Sequence, residues 1–125
     1  MKYLGIDFGM KRVGLAVSEG ELASPLKTIE GTNFLNLLDK IKKEAEGFDR
    51  LVIGLPEGKM GKIVKKAIKK LRESGVDIIE ADETLSTQNA KREMLELNIP
   101  KKKRRINDAY SAGIILQNYL EFIKL

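Results

Sequence analysis

The sequence has 125 residues, of which 42% are hydrophobic, and this predicts a single domain over residues 1–125 with one core. It contains neither cysteine nor histidine, so disulfides, thiolate zinc sites and the commonest general base are excluded, and any metal site must use oxygen ligands. The net charge of +5 favours a polyanionic partner, and the lack of a signal peptide or long apolar run predicts a cytoplasmic protein without membrane contact.

The first part of the chain predicts three short strands that form an antiparallel meander, followed by a helix. Lys2–Phe8 alternates apolar and polar residues, Arg12–Ser18 follows a glycine turn, and Leu22–Ile29 contains a proline that restricts it to a sheet edge. Thr32 is the predicted N-cap of the helix, and Gly47 is its predicted end.

The rest of the chain alternates strands and helices. In order, the predicted elements are a buried strand at Arg50–Leu55, a helix that ends at Gly75, a strand at Val76–Glu80, a helix at Ser86–Leu97 and a last helix capped by Asn107 or Asp108. Because a helix precedes each later strand, these strands should pair in parallel. The sequence therefore predicts an α/β fold with a five-stranded mixed sheet.

Acidic residues stand out by their positions at the ends of these elements. Asp7 lies late in the first strand, Asp82 and Glu83 follow the fifth strand, and Asp108 opens the last helix. If the fold brings them together, the carboxylates repel one another, and divalent cations would relieve that repulsion. Two such ions could hydrolyse a phosphodiester bond. Each acid also has an ordinary alternative as a turn, cap or surface residue, such as Asp7 bonding to the turn at Gly9.

Four segments of the sequence carry a recognisable series of motifs. They are Gly5–Ser18, Val52–Pro56, Asp82–Thr87 with Ala90, and Asn107–Ala109 continued by Ile114–Leu120. In these segments the chain resembles the YqgF family, also called RuvX, which comprises Holliday junction resolvases described as pre-16S rRNA nucleases. The resemblance implies a ribonuclease H-like fold with three α/β/α layers. It also implies that Asp7, Glu83 and Asp108 are the catalytic residues and bind two Mg²⁺ or Mn²⁺ ions.

The sequence departs from the family pattern at two places. Thr84 stands where the family often has arginine, and Glu57–Gly61 forms a short stretch where relatives often carry a longer loop. Both departures affect segments that would contact the substrate, and neither changes the three acidic residues.

Basic residues near these acids are predicted to bind a nucleic acid backbone, with affinity but no sequence reading. The predicted nucleic-acid-binding residues are Lys11, Arg12, Lys59, Lys101, Lys102, Lys103, Arg104 and Arg105. Lys62 flanks the same glycine loop as Lys59. The remaining lysines of the second predicted helix, Lys65, Lys66, Lys69 and Lys70, are interpreted as ordinary solvated surface.

The predicted function is metal-dependent hydrolysis of phosphodiester bonds, and the resemblance implies 5′-end processing of pre-16S rRNA in ribosome biogenesis. The alternatives are a Holliday junction resolvase acting on DNA and a non-catalytic RNA-binding ribosome-assembly factor. An ATP-dependent phosphotransferase is a further alternative, because Asp7–Gly14 is similar to the phosphate hairpin of that group, but those enzymes need a second domain. Both a monomer and a homodimer are compatible with the sequence.

Overall fold

A mixed β-sheet lies at the centre of the structure, a computed structural model that describes residues 1–82 and 104–124, without the side chains at 82 and 104–106. Its five strands are β1 (Tyr3–Phe8), β2 (Arg12–Ser18), β3 (Ser24–Glu30), β4 (Arg50–Leu55) and β5 (Ile78–Asp82), in the spatial order β3-β2-β1-β4-β5. The first three pair antiparallel, whereas β4 pairs parallel with both β1 and β5. This arrangement confirms the predicted mixed sheet, with the proline-containing strand at one edge.

Helices cover both faces of the sheet and produce three α/β/α layers. The helices are α1 (Phe34–Ala45), α2 (Lys59–Glu73) and α3 (Arg104–Phe122). The first core lies between the sheet and α1 and α2, and its largest members include Leu4, Ile6, Leu15, Leu37, Ile41, Ile53, Ile68 and Leu71. The second core lies between the sheet and α3, and comprises Tyr3, Ala16, Val52, Ala112, Ile115, Leu116 and Leu120.

The central strand β4 contributes to both cores. Leu51 and Ile53 belong to the first cluster, Val52 belongs to the second, and all three are at most 1% exposed. A strand buried on both faces needs apolar residues at successive positions, which is the pattern of its sequence. The prediction for Arg50–Leu55 is confirmed, including its boundaries.

The capping residue of α1 differs from the prediction by one position. Asn33, not Thr32, is the N-cap, and its side chain accepts a hydrogen bond of 2.9 Å from the Asn36 amide. The Asn36 side chain in turn accepts from the Thr32 amide at 3.0 Å. Asparagine is at least as good an N-cap as threonine, and this reciprocal pair satisfies two backbone donors near the helix start. Gly47 follows the end of α1 with a positive φ of 91°, as predicted.

Two further boundaries were predicted wrongly. The strand β5 begins at Ile78 rather than Val76, because the Val76 amide donates to the Leu71 carbonyl and closes the end of α2. The helix α3 begins at Arg104, so Asp108 is not its N-cap but lies in its second turn. Arginine is a strong helix former, and the helix extends through it.

The helix predicted at Ser86–Leu97 lies outside the described residues. Among the helices of the described ranges, none has the length and hydrophobicity of a membrane span.

Candidate active site

The turn between β1 and β2 fixes the position of Asp7. In the antiparallel register Asp7 lies directly opposite Gly14, so both residues project from the same face of the sheet. This is the face that α3 covers, because Tyr3 and Ala16, at alternate positions of the same two strands, pack against α3. Asp7 is half-buried. The strand alternation that buries Ile6 on one side therefore directs Asp7 towards α3 on the other.

Glycines bring α3 into backbone contact with β1 and β2. A Cβ atom at Gly14 would overlap the Asp108 carbonyl group, and a Cβ atom at Gly5 would lie 2.7 Å from Leu116 Cβ. Directly opposite residues of an antiparallel pair have Cβ atoms about 5 Å apart, so the Asp7 Cβ atom lies within about 7 Å of the Asp108 carbonyl oxygen. The structure therefore brings the main chain of Asp108 close to Asp7, while the Asp108 carboxylate lies against Arg12.

The immediate neighbours of Asp7 in the sheet have very small side chains. Gly14 lies opposite it on β2, and Gly54 occupies the corresponding position on β4, one residue beyond the Ile6–Ile53 pair. Gly54 pairs in turn with Ala81 on β5. Asp7 is the acidic residue of this row. Its two direct neighbours are glycines, which have no side chain to occupy the space beside its carboxylate.

An ion pair links the hairpin to the start of α3. Arg12 Nε lies 3.1 Å from Asp108 Oδ2, an atom that solvent does not reach. The two side chains are 34% and 27% exposed. Arg12 reaches Asp108 because Arg12 and Gly14 alternate on the same face of β2. The guanidinium supplies a positive charge next to the acid that the sequence singled out.

A cleft of about 550 Å³ opens beside this ion pair. Its walls are the hairpin turn, the end of β3 and the start of α3; the lining residues are Gly9, Met10, Lys11, Arg12, Glu30, Gly31 and Asp108. Lys11 is exposed there, and its carbonyl accepts from the Gly31 amide at 3.2 Å. The cleft thus joins two predicted backbone-binding residues to a predicted metal ligand.

The other predicted site residues are distributed differently. Lys59 is exposed at the first position of α2, and Arg104 and Arg105 form the start of α3, with side chains outside the description. Glu83 and Lys101–Lys103 lie outside the described residues. Within residues 1–82 and 104–124 no group of three acidic residues forms a metal cluster. Asp7 and Asp108 are the two predicted ligands for which the structure gives a position.

The sequence reasoning missed the contribution of the glycines. Gly5 and Gly14 allow α3 to approach the sheet closely enough to place Asp108 beside Asp7. The sequence does contain a pattern that indicates this close approach, because Gly5, Gly14 and Ala16 share one face of the predicted hairpin. Small residues on one face of adjacent strands indicate close approach of another backbone.

The strand order and the three layers define a ribonuclease H-like α/β fold. The RuvC structure from T. thermophilus in complex with a Holliday junction superimposes with a TM-score of 0.57 at 15% sequence identity, covering 99% of this chain and 96% of that one. The fowlpox virus Holliday junction resolvase superimposes with a TM-score of 0.60 at 12% identity, covering 98% and 99% of the two chains. At these identities the likeness establishes the fold.

The family follows from sequence comparison. The family model described as "RuvX: Holliday junction resolvase" matches residues 1–122, and the chain belongs to this family. A relative from Endomicrobium trichonymphae is 35% identical over 133 residues, which cover 96% of this chain and 95% of the relative. One from Clostridioides difficile (strain 630) is 36% identical over 134 residues, covering 97% and 94%. Both are provisionally named as pre-16S rRNA nucleases.

Proposed function

We propose that this protein is a metal-dependent nuclease that hydrolyses phosphodiester bonds, with a precursor of ribosomal RNA as its substrate. The observation that carries the proposal is the contact of Gly14 with the Asp108 carbonyl group, which brings Asp108 to the face of the sheet from which Asp7 projects. The names of the relatives support RNA as the substrate. A protein that processes rRNA precursors would act in the cytoplasm, as the sequence analysis predicts.

The donor atoms of this site suit Mg²⁺ or Mn²⁺. Carboxylate oxygens are the ligands that these hard cations prefer, and the glycines opposite Asp7 on β2 and β4 place no side chain beside its carboxylate. Asp7 and Asp108 would hold the metal, and Glu83 is the third ligand that the sequence predicts. When bound, the cations would lower the pKa of a coordinated water and offset the negative charge of the phosphate.

The chain's own basic residues would position the substrate. Arg12 holds the Asp108 carboxylate in place through the 3.1 Å contact, and its remaining guanidinium nitrogens can donate to a phosphate oxygen. Lys11, exposed in the same cleft, would contact the adjacent phosphate. Contacts of this kind bind any sequence, so selectivity would come from the shape of the nucleic acid.

A cleavage assay with Asp7→Asn tests the proposal. RNA hairpins, single-stranded RNA and four-way DNA junctions are incubated with Mn²⁺ and either the wild type or the variant. We expect the wild type to cleave RNA and the variant to lose at least about 100-fold in rate, because an amide is a poor ligand for these cations and cannot offset their charge. Binding in metal-free buffer should be retained.

Asp39→Asn is the matched control, since it makes the same chemical change at an exposed position of α1. It should cleave like the wild type. Equal rates for the Asp7 and Asp39 variants would refute the assignment of Asp7. Wild-type cleavage of the DNA junction in preference to every RNA would replace rRNA processing by junction resolution, the activity in the family description.

A further inference from the structure

The positive charge of this protein is concentrated in two segments. The helix α2 contains seven basic residues and one acidic residue, and the run Lys101–Arg105 contains five basic residues and no acid. The rest of the chain holds eleven basic and seventeen acidic residues. The overall charge of +5 is therefore not a general surface property, because outside these segments the chain is net negative.

The lysines of α2 occupy one continuous face of the helix. The opposite face packs into the first core through Val64, Ala67, Ile68 and Leu71. Spacings of three and four residues place the basic residues side by side along the exposed face: Lys59, Lys62, Lys65, Lys66, Lys69, Lys70 and Arg72. At 1.5 Å per residue, this row extends about 20 Å from Lys59 to Arg72.

These lysines differ from others in the chain by their lack of acidic partners. Lys2, Lys27 and Lys124 each form an ion pair, with Glu19, Glu44 and Glu21 respectively. In the described part of the chain, no ion pair is found for the six lysines of α2; Arg72, at the far end, lies 4.0 Å from Glu80. The face is thus a row of like charges whose nearest acids, Glu57, Glu73 and Glu80, lie along its edges without pairing with the lysines in the described part of the chain.

This arrangement opposes the stability of the helix. Like charges four residues apart, such as Lys62 and Lys66 or Lys65 and Lys69, destabilise a helix. Positive charge at the helix start is also unfavourable, and the first turn of α2 contains Lys59 and Lys62 but no acid. A bound polyanion would relieve both effects, whereas water and salt relieve them only by screening.

The row begins at the end of the sheet where Asp7 lies. A cleft of about 540 Å³ at the start of α2 is lined by Lys62, Lys65 and Ala81, and Ala81 belongs to the row of small residues that includes Asp7 and Gly54. The next cleft along α2 shares Lys65 and continues to Lys69 and Arg72. A groove with basic residues along α2, and with Glu57, Glu73 and Glu80 also in its walls, therefore leads away from the acidic site.

We propose that the exposed face of α2 is a second nucleic-acid-binding surface, which holds the phosphate backbone of a long or folded substrate beyond the site of cleavage. This inference rests on the proposed function and deepens it, and it gives a role to Lys65, Lys66, Lys69 and Lys70, which the sequence alone favours as ordinary surface. A length of about 20 Å matches about six base pairs of B-form duplex at 3.4 Å per step, and slightly more of the A-form helix of RNA, whose rise per step is shorter. The surface would distinguish large structured RNA from short fragments by contact length.

The test compares two triple variants with the same change in net charge. The α2 variant is K65Q/K66Q/K69Q, and the control is K2Q/K27Q/K124Q, which removes three ion-paired lysines instead. Binding to RNA duplexes of about 6 and about 24 base pairs is measured by fluorescence anisotropy in metal-free buffer over a range of salt concentrations, so that the result does not depend on cleavage.

For the long duplex, we expect the α2 variant to lose about 10- to 100-fold in affinity at 0.1 M salt, and its salt dependence to decrease by two to three ions. Its affinity for the short duplex should change far less, because a duplex of that length can bind in the cleft beside Lys11 and Arg12 without reaching α2. Its melting temperature should not fall, because repulsion within α2 is relieved. Equal losses in both triple variants, or equal losses for both duplex lengths, would overturn the proposal. Binding of the α2 variant to poly-glutamate is measured in the same way. If the variant keeps its RNA binding but loses binding to poly-glutamate, the proposal is overturned and the face is assigned to an acidic protein partner.

Cleavage assays separate this inference from the proposed function. If the wild type cleaves nothing but the α2 variant shows the length-dependent loss of binding, the nuclease is refuted and the surface is retained. A wild type that cleaves long RNA as fast as the α2 variant does, at concentrations below saturation, would retain the nuclease and refute the surface.

Discussion

Replacing Gly14 by alanine tests the contact on which the site geometry depends. The added Cβ would overlap the Asp108 carbonyl group and lie 2.9 Å from the Ala109 nitrogen. These are backbone atoms of a helix, which cannot rotate away as the end of a flexible side chain can. The start of α3 therefore has to move by about 1 Å or more before ordinary contact is restored.

The displacement has consequences for both stability and activity. Overpacking of this kind costs about 1–3 kcal/mol, and at about 4 °C per kcal/mol the melting temperature should fall by roughly 4–12 °C. Moving Asp108 by about 1 Å relative to Asp7 should lower the cleavage rate about 100-fold, because catalytic groups tolerate little misplacement. Thermal unfolding and the manganese-dependent cleavage assay measure the two effects.

Gly113→Ala is the matched control for this experiment. Gly113 lies in α3, and a Cβ there would meet nothing closer than Pro25 Cγ at 3.7 Å, which is ordinary contact. Alanine is favoured over glycine inside a helix, so this variant should be more stable by up to about 1 kcal/mol and fully active. Unchanged stability and activity in Gly14→Ala would show that α3 does not press on β2 at this point, and the proposed proximity of the two acids would be refuted.

Two further substitutions address the ion pair and the cap of α1. Arg12→Gln removes the cation beside Asp108. In metal-free protein this should lower the free energy of unfolding by about 1 kcal/mol, a value reduced for the partial exposure of the pair, and by less with saturating Mn²⁺. Equal losses in thermal melts under both conditions would contradict this. Asn33→Ala removes the acceptor for the Asn36 amide, and should lower the free energy of unfolding by urea by about 1 kcal/mol without affecting cleavage. A loss of cleavage in Asn33→Ala would show that α1 contributes to the site.

The sheet could be predicted because its determinants are local. Alternation in β1 and β2, the apolar run of β4 and the helical crossovers each leave a pattern in a short window, and the pairing directions follow from the connections. The start of α3 could not be predicted in the same way. A good capping residue, Asp108, competed with the helix propensity of Arg104 and Arg105, and the local signals do not show which one prevails.

Candidate site residues could be named from the sequence, but their contacts could not. Asp7 and Asp108 stood out from the motif pattern, yet their proximity depends on how closely α3 approaches the sheet. The pairing of Arg12 with Asp108 joins residues far apart in the chain, and no periodicity within either segment indicates it. Packing between elements decides such contacts, so they became visible only in three dimensions.

The glycine contacts have a consequence for how this protein can vary. Since α3 meets β2 at Gly14 through main-chain atoms of Asp108 and Ala109, the gap between the two acid-bearing segments is set there by backbone thickness rather than by side-chain volume. Substitutions throughout the layer of α1 and α2 could therefore change the melting temperature widely while the spacing of Asp7 and Asp108 stays constant. Thermal tolerance and catalytic geometry would be free to evolve separately in such a molecule.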